Sequence, residues 1–140
     1  MQTRFAAAIN CMDGRVQLPV IQWVKDRYRV DYVDMITECG PDKVVAFGQG
    51  AELGSIRSRL LISMQKHGAD TLVIAGHADC AANTVNQEAH YVHLRRAVEV
   101  AWGWNLPLKE ITGIWLDQDW QVSVVSVRTS QKLGGRVFQA

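Results

Sequence analysis

The sequence predicts an α/β domain built on a central, mainly parallel four-stranded sheet with an antiparallel edge strand and helices on both faces. Three observations carry that expectation. The runs Phe5–Ile9 and Thr71–Ala75 are too uniformly apolar to alternate, as expected of strands covered on both faces. Stretches of helical periodicity separate the strand candidates, which implies crossover connections and parallel pairing. Towards the end, Gly113–Leu116 and Val122–Val127 flank the group Asp117-Gln118-Asp119-Trp120, a strand, turn and strand that would add one antiparallel edge. With 140 residues the chain matches one ordinary domain, and a single domain over residues 1–140 is expected.

In order, the first strand is expected from Arg4 to Asn10, followed by the turn Cys11-Met12-Asp13-Gly14-Arg15. Pro19 suits the first turn of a helix from about Leu18 to Arg29, in which Val20, Ile21, Val24 and Tyr28 share one stripe with Trp23 beside them. A second strand runs from about Asp31 to Thr37 and is broken by Cys39-Gly40-Pro41. The apolar piece Val44-Val45-Ala46-Phe47 is too short to assign. Gly48, Gly50 and Gly54 precede a helix from Ser55 to Lys66, with Ile56, Leu60 and Met64 four residues apart and Gly68 as its cap. The strand Thr71 to Ala75 leads into Gly76-His77-Ala78-Asp79-Cys80. A long helix follows from about Thr84 to Trp102, ended by Gly103 and Pro107.

Composition narrows the function. A net charge of +1 with 21% charged residues, and no run of like charges, offers no broad attraction for nucleic acid or anionic membrane. No stretch approaches the roughly 20 apolar residues of a membrane span, and the amino-terminal apolar run is too short for a signal-peptide core. A soluble, cytoplasmic protein acting on a small molecule is expected. Cys11, Cys39 and Cys80 form an odd set in a domain large enough to be stable without disulfides, so metal binding or thiol chemistry is favoured over a disulfide framework. The bland alternative for each is a small buried hydrophobe.

In an open parallel sheet, ligands bind outside the carboxyl ends of the strands where the winding changes side. If the second and third strands flank the first, the ends of strands one and three are neighbours, and Cys11 meets His77 and Cys80. Thiolates and imidazole are preferred zinc ligands, and three protein ligands with an open fourth position is the catalytic pattern. Two thiolates cancel the ion's charge and weaken it as a Lewis acid, so further groups are needed. Asp13 and Arg15 lie two and four residues after Cys11, on the same side of an extended turn. There Arg15 can hold Asp13 ionised through a forked hydrogen bond, and Asp13 can accept a proton from zinc-bound water, aiming its lone pair outward. Two alternatives stay open: Asp13 binds zinc itself until Arg15 draws it away, or the two form only a structural ion pair.

These residues resemble a family. Cys11-Met12-Asp13-Gly14-Arg15 is similar to the Cys-x-Asp-x-Arg motif, and Gly76-His77-Ala78-Asp79-Cys80 to the Gly-His-x-x-Cys motif, of the β-class carbonic anhydrases. Their order and spacing are similar as well, and the hairpin after Gly113 resembles the one that closes that family's sheet. The resemblance implies Cys11, His77 and Cys80 as zinc ligands and Asp13 and Arg15 as the catalytic pair. It implies reversible hydration of carbon dioxide to bicarbonate by a zinc-bound hydroxide, in a homodimer or higher homo-oligomer. The helical arm that many members carry before the first strand is not expected here. Ala81 stands in place of a usual glycine, and Thr37-Glu38-Cys39-Gly40-Pro41 replaces an Asn-containing loop. Alternative readings are a non-catalytic zinc-binding relative, a hydrolase of carbonyl sulfide or carbon disulfide, and a thiol enzyme using Cys11 without metal.

Among the remaining residues, Cys39 is expected to be a half-buried free thiol rather than a fourth ligand or redox partner. His90 and His93, three apart on one helical face, are expected at the surface, with proton transfer as the sharper alternative. His67 fits a helix end, where the dipole favours a cation. The spacing of Gly48, Gly50 and Gly54 departs from a dinucleotide fingerprint. Trp23, Trp102, Trp104, Trp115 and Trp120 are expected in the core or at subunit contacts.

Overall fold

The computed structural model describes residues 2–133 and 136–139, with side chains described as far as residue 130. Its strands are β1 (Phe5–Cys11), β2 (Tyr32–Glu38), β3 (Thr71–His77), β4 (Glu110–Leu116), β5 (Val122–Leu133) and β6 (Arg136–Gln139). They form one sheet in the order β2-β1-β3-β4-β5-β6. The expected parallel sheet with an antiparallel edge is observed. β1 pairs in parallel with β2 on one side (Ala8 opposite Met35) and with β3 on the other (Ala8 opposite Val73). β4 runs parallel to β3, and β5 folds back antiparallel on β4 with a register shift between Gly113 and Ile114. β6, which extends the edge beyond β5, was not expected.

The alanine-rich first strand sits between helices. Successive side chains of a strand point to opposite faces, and here Ala6 and Ala8 meet one core while Ala7 and Ile9 meet the other. One face is covered by α1 (Gln17–Tyr28), whose Val20 and Val24, with Val16 just before it, pack on Val73, Ala75, Ile114 and Leu116. The other face carries α2 (Pro41–Phe47), α3 (Ala51–His67) and α4 (Gln87–Trp102). From these, Val45, Ile56, Leu60, Leu94 and Val98 meet Leu72, Ile74 and Ile111. Truncating one such fully enclosed leucine costs about 2–5 kcal/mol, part of it for the cavity left behind. Trp115 is buried, and the other four tryptophans are partly buried against the same two cores.

The departures from expectation have local causes. The unassigned piece at 44–47 ends a short helix that Pro41 starts, since a first-turn residue needs no N–H partner. Gly40 before it adopts φ +61°, and a Cβ there would lie 3.2 Å from that of Asn83. α3 starts four residues early, at Ala51, so Gly54 is helical. α4 starts late because Asn86 caps it, its side chain accepting from the Ala89 N–H at 2.9 Å. β3 runs on to His77, which places that imidazole on the last residue of a strand. Among the described residues no helix is long and apolar enough to cross a membrane.

Candidate metal centre

The winding changes side between β1 and β3, and their last residues are Cys11 and His77. Beyond His77 the chain is pinned by the Ala78 N–H, which donates to the Leu116 carbonyl at 2.9 Å. Asp79 then adopts φ +57°, a left-handed conformation that aspartate tolerates better than most residues. This reversal returns Cys80 to the same strand ends. One ligand atom from each of Cys11, His77 and Cys80 lies within 4.8 Å of the others, and all three residues are buried. A tetrahedral site with zinc–sulfur bonds of about 2.3 Å has sulfurs roughly 3.8 Å apart, so the set would close by about 1 Å at most on an ion.

Two features of these side chains fit a metal. The His77 Nδ1 donates to the Ala78 carbonyl at 2.7 Å, which fixes the tautomer. Nε2 is thereby left with its lone pair, enclosed and without a partner. An unsatisfied buried polar atom of this kind costs about 1–3 kcal/mol, a penalty that a metal bond removes. The sulfurs are the second feature. The Cys80 thiol beside Cys11 holds the Cys11 thiol down at about 4 against the effect of burial, with help from His77 and from the backbone N–H groups of Asp13 and Gly40. The same contact, with burial, pushes Cys80 well up. Burial pulls His77 down, but the Cys11 thiolate and the Ala78 carbonyl outweigh it and the net shift is upward. The cluster thus favours the thiolate form at Cys11, the form that binds metal.

Asp13 and Arg15 sit on the turn after Cys11. The Asp13 Oδ1 accepts from the Arg15 backbone N–H at 2.9 Å and from Nε at 3.0 Å, while Oδ2 accepts from Nη2 at 2.7 Å. The guanidinium holds the Asp13 carboxyl at about 2 and is itself pushed up by that partner. Asp13 lies outside the Cys–His–Cys donor group, so its carboxylate is seen in the arginine-paired arrangement rather than as a fourth ligand. Arg15 also reaches Asp79, Nη1 to Oδ2 and Nη2 to the carbonyl, both at 3.2 Å, and lies 5.0 Å from the Trp120 ring centroid. One side chain therefore ties the two motif turns together. Gln17 secures the first turn from below, its Nε2 donating to the carbonyls of Cys11 (2.6 Å) and Asp13 (2.9 Å).

Sequence reasoning missed Asp79, Trp120 and Gln17. An acidic residue inside the second motif, opposite in charge to Arg15 in the first, was the available signal for Asp79. Three expectations need correction. Cys39 is exposed rather than half-buried, with its Sγ 3.3 Å from the Met12 Sδ, and it takes no part in the donor group. His90 is buried rather than at the surface, because its Nδ1 donates to the Asp42 carboxylate at 2.6 Å. His93, held at 3.0 Å by the Asn83 amide, is half-buried, and burial lowers its pKa. His67 does close α3, paired with Asp34 at 2.7 Å and stacked on Phe5.

Residues 1–126 match the protein family described as "Putative carbonic anhydrase". The chain belongs to this family. Its fold is that of the β-carbonic anhydrases. One of two tetrameric β-carbonic anhydrases from the filamentous ascomycete Sordaria macrospora superposes with a TM-score of 0.58 and 12% identity, over 90% of this chain and 82% of that one. The β-carbonic anhydrase CcaA superposes with a TM-score of 0.52 and 12% identity, over 100% of this chain and 79% of that one. At such identities the likeness speaks for the fold alone. No curated protein matches the chain.

Proposed function

We propose that this member of the carbonic anhydrase family is a zinc enzyme that hydrates carbon dioxide reversibly to bicarbonate. Cys11, His77 and Cys80 would hold the ion, and Asp13 and Arg15 would act beside it. The observation that carries the reading is the enclosed, partnerless His77 Nε2 facing two cysteine sulfurs at the switch point of the sheet. Bound there, zinc would supply a Lewis acid that lowers the pKa of water to about 7.

The chain's own groups do the rest. Held at about 2 by Arg15, Asp13 is ionised at neutral pH and a weak base, so it serves as a fixed hydrogen-bond acceptor. A nucleophile that donates to it has its lone pair turned away from Asp13 and towards substrate. Arg15 keeps that carboxylate ionised and aimed, and its contacts to Asp79 hold the two turns at a constant separation. Because Asp13 does not take the proton, a group of higher pKa or the buffer must.

The same reading includes one domain over residues 1–140 and a homodimer or higher homo-oligomer. Assembly is supported by the tetramers of the Sordaria relative and by the apolar side chains of Met12 and Leu18, 62% and 78% exposed beside the site turn. Unpaired cysteines fit the reducing cytoplasm. Stopped-flow carbon dioxide hydration on zinc-stoichiometric protein tests the function. A zinc-dependent rate that chelation abolishes and zinc restores is expected. Stoichiometric zinc with a rate no faster than buffer contradicts it and leaves a non-catalytic zinc protein; turnover of carbonyl sulfide alone reassigns the substrate.

A further inference from the structure

On the face of the sheet covered by α2 and α4, a cavity of about 400 Å³ opens between the 77–80 turn, the start of α4 and the β4–β5 turn. Its lining includes two side chains that are almost wholly enclosed, His90 at 2% exposure and Trp115 at 4%. The inner nitrogen of His90 is committed, since Nδ1 donates to the Asp42 carboxylate. In the neutral ring this leaves a lone pair on Nε2, which has no protein partner. Nε2 is also not among the fully enclosed partnerless atoms, and so has surface in the cavity. The Trp115 indole N–H is enclosed and unpartnered.

The charged groups of the lining are all acidic. Asp79, Asp117 and Asp119 contribute carboxylates, and no Lys or Arg lines the cavity among the described residues. Arg15 shares its one positive charge between Asp13 and Asp79, and the Asp117 Oδ1 accepts from the backbone N–H groups of Asp119 and Gln121 at 2.8 and 3.0 Å. Net negative charge therefore remains on Asp119, whose carboxylate makes no hydrogen bond among the described residues, and on the second oxygen of Asp117. These carboxylates and His90 do not converge as a group able to hold a metal ion. The cavity is large enough for an organic ligand and has apolar walls at Val85 and Trp115.

We propose that this cavity binds a small organic ammonium ion, whose N–H groups donate to the His90 Nε2 and to the carboxylates of Asp117 and Asp119. The Asp42–His90 pair gives the site its specificity. By accepting the hydrogen bond from Nδ1–H, Asp42 leaves the outer nitrogen of the neutral ring as an acceptor, which suits an N–H donor and not a carboxylate or phosphate. The proposal makes no use of the zinc reading and holds whether or not the protein hydrates carbon dioxide.

Titration of the purified protein with ethylammonium, followed by the indole N–H and amide resonances in ¹H–¹⁵N spectra, tests it. Saturable shifts are expected at Trp115, identified by its absence in Trp115→Phe, and at Gln87 and Asp119. Ethanol and acetate at the same concentrations should leave these signals in place, and tetramethylammonium, which has the charge but no N–H, should bind more weakly. The double variant Asp117→Asn/Asp119→Asn keeps the turn's acceptor oxygen and should weaken ethylammonium binding about five-fold. Absence of saturation, equal shifts with ethanol, or undiminished binding to the double variant would overturn the proposal.

Discussion

On the α1 side of the sheet, Cys11, His77 and Cys80 converge and leave a buried imidazole nitrogen with nothing to bond. On the opposite side, at the same end, Asp42, His90, Asn83 and His93 tie most of their polar atoms to one another. The Asn83 amide donates to Asp42 at 3.1 Å and to His93 at 3.0 Å, and His90 donates to Asp42 at 2.6 Å. Both clusters are buried groups of titratable side chains with a histidine at the centre. The first brings three metal-binding donor atoms to within 4.8 Å of one another, whereas the second ties its side chains together, with the Asn83 Oδ1 left enclosed and unpartnered, and braces α2, the 81–86 loop and α4. Residue type alone does not separate a ligand site from a structural one; the convergence of donor atoms on one point does.

The comparison breaks most readily at the metal side. Cys80→Ser removes one of the bonds that share roughly 10–16 kcal/mol in a structural zinc site, so zinc affinity by competition titration should fall about 10²- to 10⁴-fold. Cys39→Ser should leave it unchanged, and equal loss in both variants would mean that the donor group is misassigned. On the other face, Asp42→Ala strands a buried imidazole and the Asn83 amide. Denaturant unfolding should show a loss of about 2–6 kcal/mol from the two stranded donors, while the folded fraction keeps its zinc. If Asp42→Ala instead released zinc without loss of stability, the division between the two clusters would be wrong.

Asp13→Asn sharpens the functional half. Zinc content should stay at one per chain and kcat for carbon dioxide hydration should drop about 100-fold, because the amide presents an N–H where a fixed acceptor is needed. Full activity would reduce Asp13 and Arg15 to a structural pair. The smallest effect concerns pH. The folded pKa of Asp13 is held at about 2 against an ordinary 3.8, so its contribution to stability is present above about pH 4 and is lost as pH falls through 2. Acid unfolding of Asp13→Asn should lack that part of the slope. The change will be slight, since the Arg15 partner is half exposed and water screens the pair.

What could be read from the sequence was what local pattern determines. The apolar runs before Cys11 and His77 announce strands buried on both faces, and residues just after such strands fall at the carboxyl edge whatever else the fold does. The helix α1 and the closing hairpin follow from period and turn chemistry in the same way. α2 was illegible because seven residues between Gly40 and Gly48 carry too short a pattern, and what makes them helical is packing against α4. The same gap hid the buried pair, since Asp42 and His90 are 48 positions apart and His90 reads as an ordinary helix-surface residue until α2 is laid over it. Asp79 escaped for a related reason. Its value lies in a contact with Arg15 across 64 positions, made only once β1 and β3 are paired.

The most direct test of the metal assignment is zinc K-edge X-ray absorption on the protein as purified. The account predicts one zinc per chain with two sulfur scatterers at about 2.3 Å and nitrogen or oxygen scatterers at about 2.0–2.1 Å, and loss of one sulfur in Cys80→Ser. A protein free of zinc after growth and purification in its presence, or a shell without two sulfurs, would contradict it.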